Sequence, residues 1–246
     1  MLEALRNWIA GRGASAGDAQ WSDVARWAES RKYEFRHVRQ SPGFVIDGRQ
    51  GRTPWRLEWG PSQRGYVRGM ELRLRADLGL APDLQALILS RSLKESMEKD
   101  VFEQYVEAVQ TRADTQTPPE MRWLVMYPPI SGHDLGAMRE HWAAVANLKP
   151  WLLGWLASPL GTELAARRPA RDPVVLMVSR GRVVLRTGLA VPDPAELDSW
   201  LHLFESAVRE AQRVMNDMTN DPSSPSTQPS LWAASVMPAE APISAH

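Results

Sequence analysis

The tetrapeptide SGHD at residues 131–134 places a hydroxyl, an imidazole and a carboxylate side by side, the three group types of nucleophilic hydrolysis. Adjacency argues against that use, because such triads are assembled by the fold from separated segments. After Pro128-Pro129 the stretch reads as a turn, with Asp134 capping the next helix. His133 and His141 lie eight residues apart, off the i, i+4 spacing that sets two metal ligands on one helical face. His202, beside the apolar stripe of the last helix, reads as a packed or surface residue. The carboxylates at 95, 98, 100, 103 and 107, interleaved with Lys94 and Lys99, read as a solvated helical face with i, i+4 pairs. The sequence contains no phosphate loop of the GxxxxGK[ST] type, no GxGxxG and no GxSxG. It contains no Cys, which removes disulfides, thiolate metal sites and cysteine nucleophiles. Neither a metal site nor a cofactor is expected, and the balance leans away from an enzyme.

Arginine offers more. Residues 51–77, GRTPWRLEWGPSQRGYVRGMELRLRAD, hold two Trp, one Tyr and six Arg. Strict alternation sets Trp55, Leu57 and Trp59 on one face and Arg56 on the other, so the aromatics segregate with the apolar residues. A platform that stacks nucleic-acid bases needs exposed aromatics among its cations. The segment therefore reads as a half-solvated sheet in which Arg56, Arg73 and Arg75 pair with Glu58 and Glu71 across strands. The turns differ from the strands, because loops on a rigid sheet are where binding residues collect. Arg49 and Arg52 in one turn, with Arg64 and Arg68 in the next, are the candidate anion-binding residues. The overall excess of Arg over Lys, 25 to 4, is attributed to base composition rather than to recognition.

Charge is distributed in blocks. Residues 31–75 carry 11 basic and 4 acidic side chains, residues 76–121 carry 4 and 9, residues 122–186 carry 9 and 4, and residues 187–246 carry 2 and 8. The strand-rich blocks are basic, and the helix-rich blocks and the tail are acidic, around a formal net charge of zero.

The elements that must position these groups follow from periodicity. Helices are expected over 2–10 and from Trp21 to Ala28, the second capped by Asp18. Three or four antiparallel strands fall within 33–75. Pro82-Asp83 opens a helix carrying Leu84, Leu87 and Ile88, and 101–112 reads as helix. RWLVMY (122–127) reads as a strand, and 134–147 and 151–166 read as helices. VVLMV and VVLRT, joined by SRGR, form a second hairpin over 174–186, followed by an amphipathic helix through Met215. LRLRADLGLAPDL (72–84) echoes VVLRTGLAVPDPAEL (183–197), which raises a degenerate strand-then-helix duplication as one explanation and a repeated turn-and-cap solution as the other.

The fold class is thus α+β. N-terminal helices occupy 1–32, a globular domain spans 33–216 with halves at 33–121 and 122–216, and a Ser/Pro-rich disordered tail covers 217–246. In that tail SLWAASVMP (230–238) forms an apolar island, and Leu231, Trp232, Val236 and Met237 are candidates for docking into a partner's groove. No stretch approaches a signal peptide or membrane span, so a soluble cytoplasmic protein without membrane contact is expected. The first functional expectation is a non-enzymatic interaction or regulatory module with a protein partner. The alternatives are a binder of nucleic acid or another polyanion through residues 49–75, and an enzyme whose site sequence does not reveal.

Overall fold

The period-two segments and the buried apolar runs of this chain join into a single sheet. A computed structural model describes residues 21–39, 41–106, 118–169 and 173–220. In chain order the elements are α1 (Ser22–Ser30), β1 (Glu34–His37), β2 (Phe44–Gln50), β3 (Thr53–Pro61), β4 (Met70–Asp77), β5 (Ala86–Ser90) and α2 (Arg91–Val106). They continue with α3 (Pro119–Met126), α4 (Gly132–Leu135), a 3-10 turn (Gly136–Glu140), β6 (Trp142–Ala146), α5 (Lys149–Leu156), α6 (Pro159–Ala166), β7 (Val174–Ser179), β8 (Arg182–Gly188) and α7 (Pro194–Asn220). The eight strands lie in the order β1-β2-β3-β4-β8-β7-β5-β6, and every pair is antiparallel. The protein is α+β, as its sequence implies.

One face of the sheet is apolar along its whole width. Ile46, Leu57, Leu74, Leu185, Leu176 and Ile88 run across it and are fully buried beneath α1, α5, α6 and α7. α7 contributes Leu197, Leu201, Phe204, Val208 and Ala211 to the same core. Three of the large aromatics are held by bonds from their N–H groups, whereas the indole nitrogens of Trp27 and Trp151 are buried without a partner among the described residues. Trp59 donates to the Leu189 carbonyl at 2.8 Å, Trp142 to that of Leu164 at 2.8 Å and Trp155 to that of Ala207 at 3.0 Å. Gly48 makes room for Trp55, since a Cβ there would lie 2.2 Å from the indole ring.

The opposite face changes character across the sheet. Over β5, β6 and β7 it is apolar and covered by α2 and α3, with Leu87, Leu89, Val145, Val175, Leu93 and Trp123 in a second core. Over β1 to β4 it is open and charged. One cross-strand row reads Arg36, Val45, Glu58, Arg73, Arg186, and the next reads Glu34, Asp47, Arg56, Arg75, Val184. Arg73 and Arg75 pair with Glu58 at 3.3 and 3.2 Å, and Arg73 with Glu71 at 3.2 Å, as alternation predicts. Arg56 pairs instead with Asp47, directly opposite on β2, at 2.7 Å.

Several expectations need correction. The segment after Pro82-Asp83 is strand β5, and helix begins only at Arg91. β5 and β6 are buried on both faces, so ALILS and WAAVA lack the alternation that marks a half-exposed strand. RWLVMY belongs to helix α3, which starts with Pro119 in its first turn. Residues 134–147 contain only a short helix and a 3-10 turn before β6, and 151–166 are divided between α5 and α6 at Ser158-Pro159. Trp21, not Asp18, occupies the N-cap of α1. Ser131 rather than Asp134 caps α4, accepting from the Asp134 amide, while Asp134 pairs with Lys149 at 2.8 Å. α7 runs on to Asn220, so the tail expected from 217 begins no earlier than 221. β4 leads to a strand and β8 to a helix, so the strand-then-helix echo is not repeated in structure. The two strands share a different property: they lie side by side, antiparallel, at the centre of the sheet. Residues 1–20, 107–117 and 221–246 lie outside the described residues, and with them the first expected helix and Leu231, Trp232, Val236 and Met237.

Candidate functional site

The hairpin β7–β8 supplies the floor of the most basic concavity. Its two-residue turn, Arg180-Gly181, has positive φ at both positions, 51° and 77°, which matches the right-handed twist of the flanking strands. Side chains two apart on a strand share a face, so Arg182, Val184 and Arg186 of β8 line the open side beside Met177 and Ser179 of β7. α3 forms a wall here, where the covered part of the sheet ends. The i, i+4 spacing puts Arg122 and Met126 on the same side of α3, and both face the recess. Arg64, from the loop between β3 and β4, closes the far end. The recess has a volume of about 610 Å³. Five arginines line it, Arg64, Arg122, Arg180, Arg182 and Arg186, and among the described residues no acidic one does.

Two of these cations are anchored from behind by buried carboxylates, and a third is paired at the surface. Arg186 pairs with Glu71 at 2.7 Å, Arg64 with Glu120 at 3.2 Å, and Arg182 with Asp77 at 3.1 Å. Glu71 and Glu120 are fully buried. Glu71 also accepts from Arg73 and from the Gln63 amide, and Glu120 accepts from Tyr66 Oη at 3.0 Å. Burial alone would lower the Arg64 pKa, but Glu120 beside it outweighs that effect and the net shift is upward. Burial, reinforced by Glu120, pushes the Tyr66 phenol well up, so it remains a donor. One carboxylate oxygen of Glu120 and Nε of Arg186 are buried without a partner. Each such group costs about 1–3 kcal/mol. Among the described residues, Arg122 and Arg180 are exposed and have no ion-pair partner.

The four arginines singled out from sequence do not converge. Arg49 lies on β2 and Arg52 in the β2–β3 turn, while Arg64 and Arg68 lie in the β3–β4 loop at the other end of β3. That strand separates the two pairs by roughly 26 Å, from its residue rise. Only Arg64 reaches the recess. Arg122, Arg180, Arg182 and Arg186 were missed because they come from a helix read as a strand and from a hairpin that was recognised but given no binding role. The net positive charge of residues 122–186 was the signal that pointed to them.

A second concavity, of about 670 Å³, lies between the end of α1, α6 and α7. Lys32 takes a left-handed conformation after α1, with φ 62°, and turns Tyr33 toward the cleft. Burial raises the pKa of both Tyr33 and Glu205 and lowers that of Arg167. Its lining carries charges of both signs. Arg31 pairs with Asp198 at 2.8 Å, and Arg167 lies over the Trp200 ring at 4.0 Å while donating to Ser199 Oγ at 2.6 Å. The Ser199 hydroxyl thus meets a cation rather than a base, and His202 stands 4.0 Å from Glu163 with its side chain 76% exposed. Nucleophilic catalysis requires the base within about 2.6–3.2 Å of the hydroxyl. Among the described residues no group of three His, Asp or Glu could hold a metal ion, and no helix is long and apolar enough to cross a membrane.

Comparison with known proteins found no matching family model, no matching curated protein and no matching solved structure.

Proposed function

We propose that this chain is a non-enzymatic interaction module of the cytoplasm that holds an anionic ligand in the recess between α3 and the β7–β8 hairpin. One observation carries the reading: five arginines line a recess in which, among the described residues, no carboxylate takes part in the lining. Guanidinium presents paired N–H donors that match carboxylate and phosphate oxygens, and it stays charged at any physiological pH. Buried Glu71 and Glu120 fix Arg186 and Arg64 in place, so ligand binding orders few side chains anew. Arg122 and Arg180 supply the charge that no internal carboxylate balances.

The burial of Trp55 and Trp59, at 3% and 4% exposure, weighs against base stacking on the sheet. In the α7 cleft a cation rather than a base meets the Ser199 hydroxyl, which favours binding over catalysis. The test is a fluorescence-anisotropy titration with a labelled oligoglutamate peptide and, as competitor, inorganic pyrophosphate. Binding is expected to weaken as salt screens the charges. Arg122→Ala combined with Arg180→Ala is expected to lose tenfold or more in affinity. Undiminished affinity in that variant, or no binding by the wild-type chain at low salt, sinks the reading.

A further inference from the structure

We infer that the anionic ligand is carried by an acidic amphipathic helix of a partner protein, which lies across α3 with its carboxylates in the arginine recess and its apolar side chains on Val125 and Met126. The inference rests on the anion-binding reading above and adds the chemistry of the partner. Its ground is the outward side of α3. Val125 is 74% exposed and Met126 64%, among the most exposed large apolar side chains of the described residues. They adjoin each other at the C-terminal end of the helix. Met126 also lines the recess, one turn from Arg122, so an apolar and a cationic group stand on one helical face.

On the far side of Val125, Met97, Met121 and Leu124 form a shallow groove of about 120 Å³ between α2 and α3, whose lining also includes Glu98, itself paired with Lys94 at 2.6 Å. Methionine-rich surfaces accommodate varied apolar side chains because thioether chains repack at low cost. The sequence of features across this surface is therefore cation, apolar ridge, apolar groove. A free phosphate or dicarboxylate would use the first of these and leave the other two in water. A helix with acidic residues on one side and apolar residues on the other would use all three, by the helix-in-groove mode. The dimensions agree. Arg182 and Arg186 span about 13 Å along β8, the length of roughly nine helical residues. A single-stranded nucleic acid is the poorer fit, because Trp123, the aromatic ring beside these arginines, is buried.

The experiment compares three probes with the full chain and three variants. The probes are an 18-residue peptide with Glu on one helical face and Leu on the other, an oligoglutamate of equal charge, and vesicles containing anionic lipid. The variants are Val125→Ser with Met126→Ser, Arg122→Ala with Arg180→Ala, and a chain ending at residue 220. The amphipathic peptide is expected to bind at least tenfold more tightly than oligoglutamate. The serine variant, its fold checked by denaturation, should lose that advantage while keeping its affinity for oligoglutamate, and the alanine variant should lose both. Equal binding of the two peptides, unaffected by the serine changes, overturns the inference and leaves the anion-binding reading standing. Failure of the wild-type chain to bind any anion removes both. Tighter peptide binding by the shortened chain assigns the surface to the protein's own C-terminal segment, and vesicle binding that the peptide does not displace assigns it to a membrane. Either result overturns the partner-helix assignment.

Discussion

The arginine recess and the cleft beside α7 are similar in size, about 610 and 670 Å³, yet they balance their charges in opposite ways. In the cleft, cations and anions line the same space and neutralise one another, as Arg31 does with Asp198. In the recess, the cations line the space, and the carboxylates of Arg64 and Arg186 stand behind them, buried in the protein. A cleft of the first kind holds part of its counter-charge in its own lining before any ligand arrives. The second kind keeps donors facing outward and holds them rigidly, which is the arrangement expected where an anion binds. Titratable groups crowd both places, so their number does not distinguish a site from a self-contained network. The side on which the counter-charges lie does.

The largest effect that separates the two regions concerns Arg64. Its replacement by Ala leaves the Glu120 carboxylate fully buried without its cation. Removing one partner of a buried pair costs about 3–5 kcal/mol. A fall in Tm of roughly 6–12 °C is expected from about 3 kcal/mol, at 2–4 °C per kcal/mol for a chain of this size. Thermal denaturation checks it, and an unchanged Tm would show that the anchoring described for the recess is wrong. Arg64→Ala is thus a poor probe of binding, although sequence alone makes it a natural choice. Arg122→Ala with Arg180→Ala is the contrasting case: tenfold weaker anion binding, about 1.4 kcal/mol, with stability within about 0.5 kcal/mol of wild type.

Titration sharpens the comparison further. On the open face Arg56 and Arg36 hold Asp47 below its ordinary value of 3.8, outweighing the upward effect of burial. Its contribution to stability is complete above that value and is lost as pH falls through the lower folded value. Asp47→Asn should therefore flatten the acid limb of a stability-against-pH curve. Burial shifts Glu205, in the cleft, upward from 4.5. Stability from this group is greatest below 4.5 and declines as pH rises through the folded value, so Glu205→Gln should remove that decline and be no less stable at neutral pH. Urea denaturation from pH 3 to 8 tests both, and slopes of the same sign would contradict the opposite environments. The smallest effect belongs to Ser199→Ala with His202→Ala, which should leave anion affinity unchanged and stability altered by no more than about 1 kcal/mol.

How much of this was legible in the sequence depends on whether each element meets water. β1 to β4 were recognisable because their open face forces polar residues into every second position, as in Trp55-Arg56-Leu57-Glu58-Trp59. The β7–β8 hairpin was recognisable from its turn. β5 and β6 lie between two covered faces, and nothing in ALILS or WAAVA marks the period. α3 misled for the reverse reason: Trp123, Val125 and Tyr127 favour strands locally, and the helix begun at Pro119 is held by packing on β6 and the buried Glu120 contact. The candidate site was less legible than the fold. Its arginines are far apart in sequence, and what joins them is the pairing of β7 with β8 and the placement of α3, neither of which leaves a spacing to read.

The central pairing of β4 with β8 also governs the order in which the chain can be assembled during synthesis. Strands β1 to β4 are successive hairpins and can pair soon after they emerge. Their apolar side, with Trp55, Leu57, Trp59, Leu72 and Leu74, packs in one core with Trp21 before α1 and with α7, which ends at Asn220. At about 5–20 residues per second, that helix follows β4 by on the order of ten seconds. During this interval a half-sheet rich in tryptophan presents its core face and the unpaired edge of β4 to its surroundings. Holding factors at the ribosome would act on this window, and the yield of folded protein should depend on how fast residues 78–220 are made.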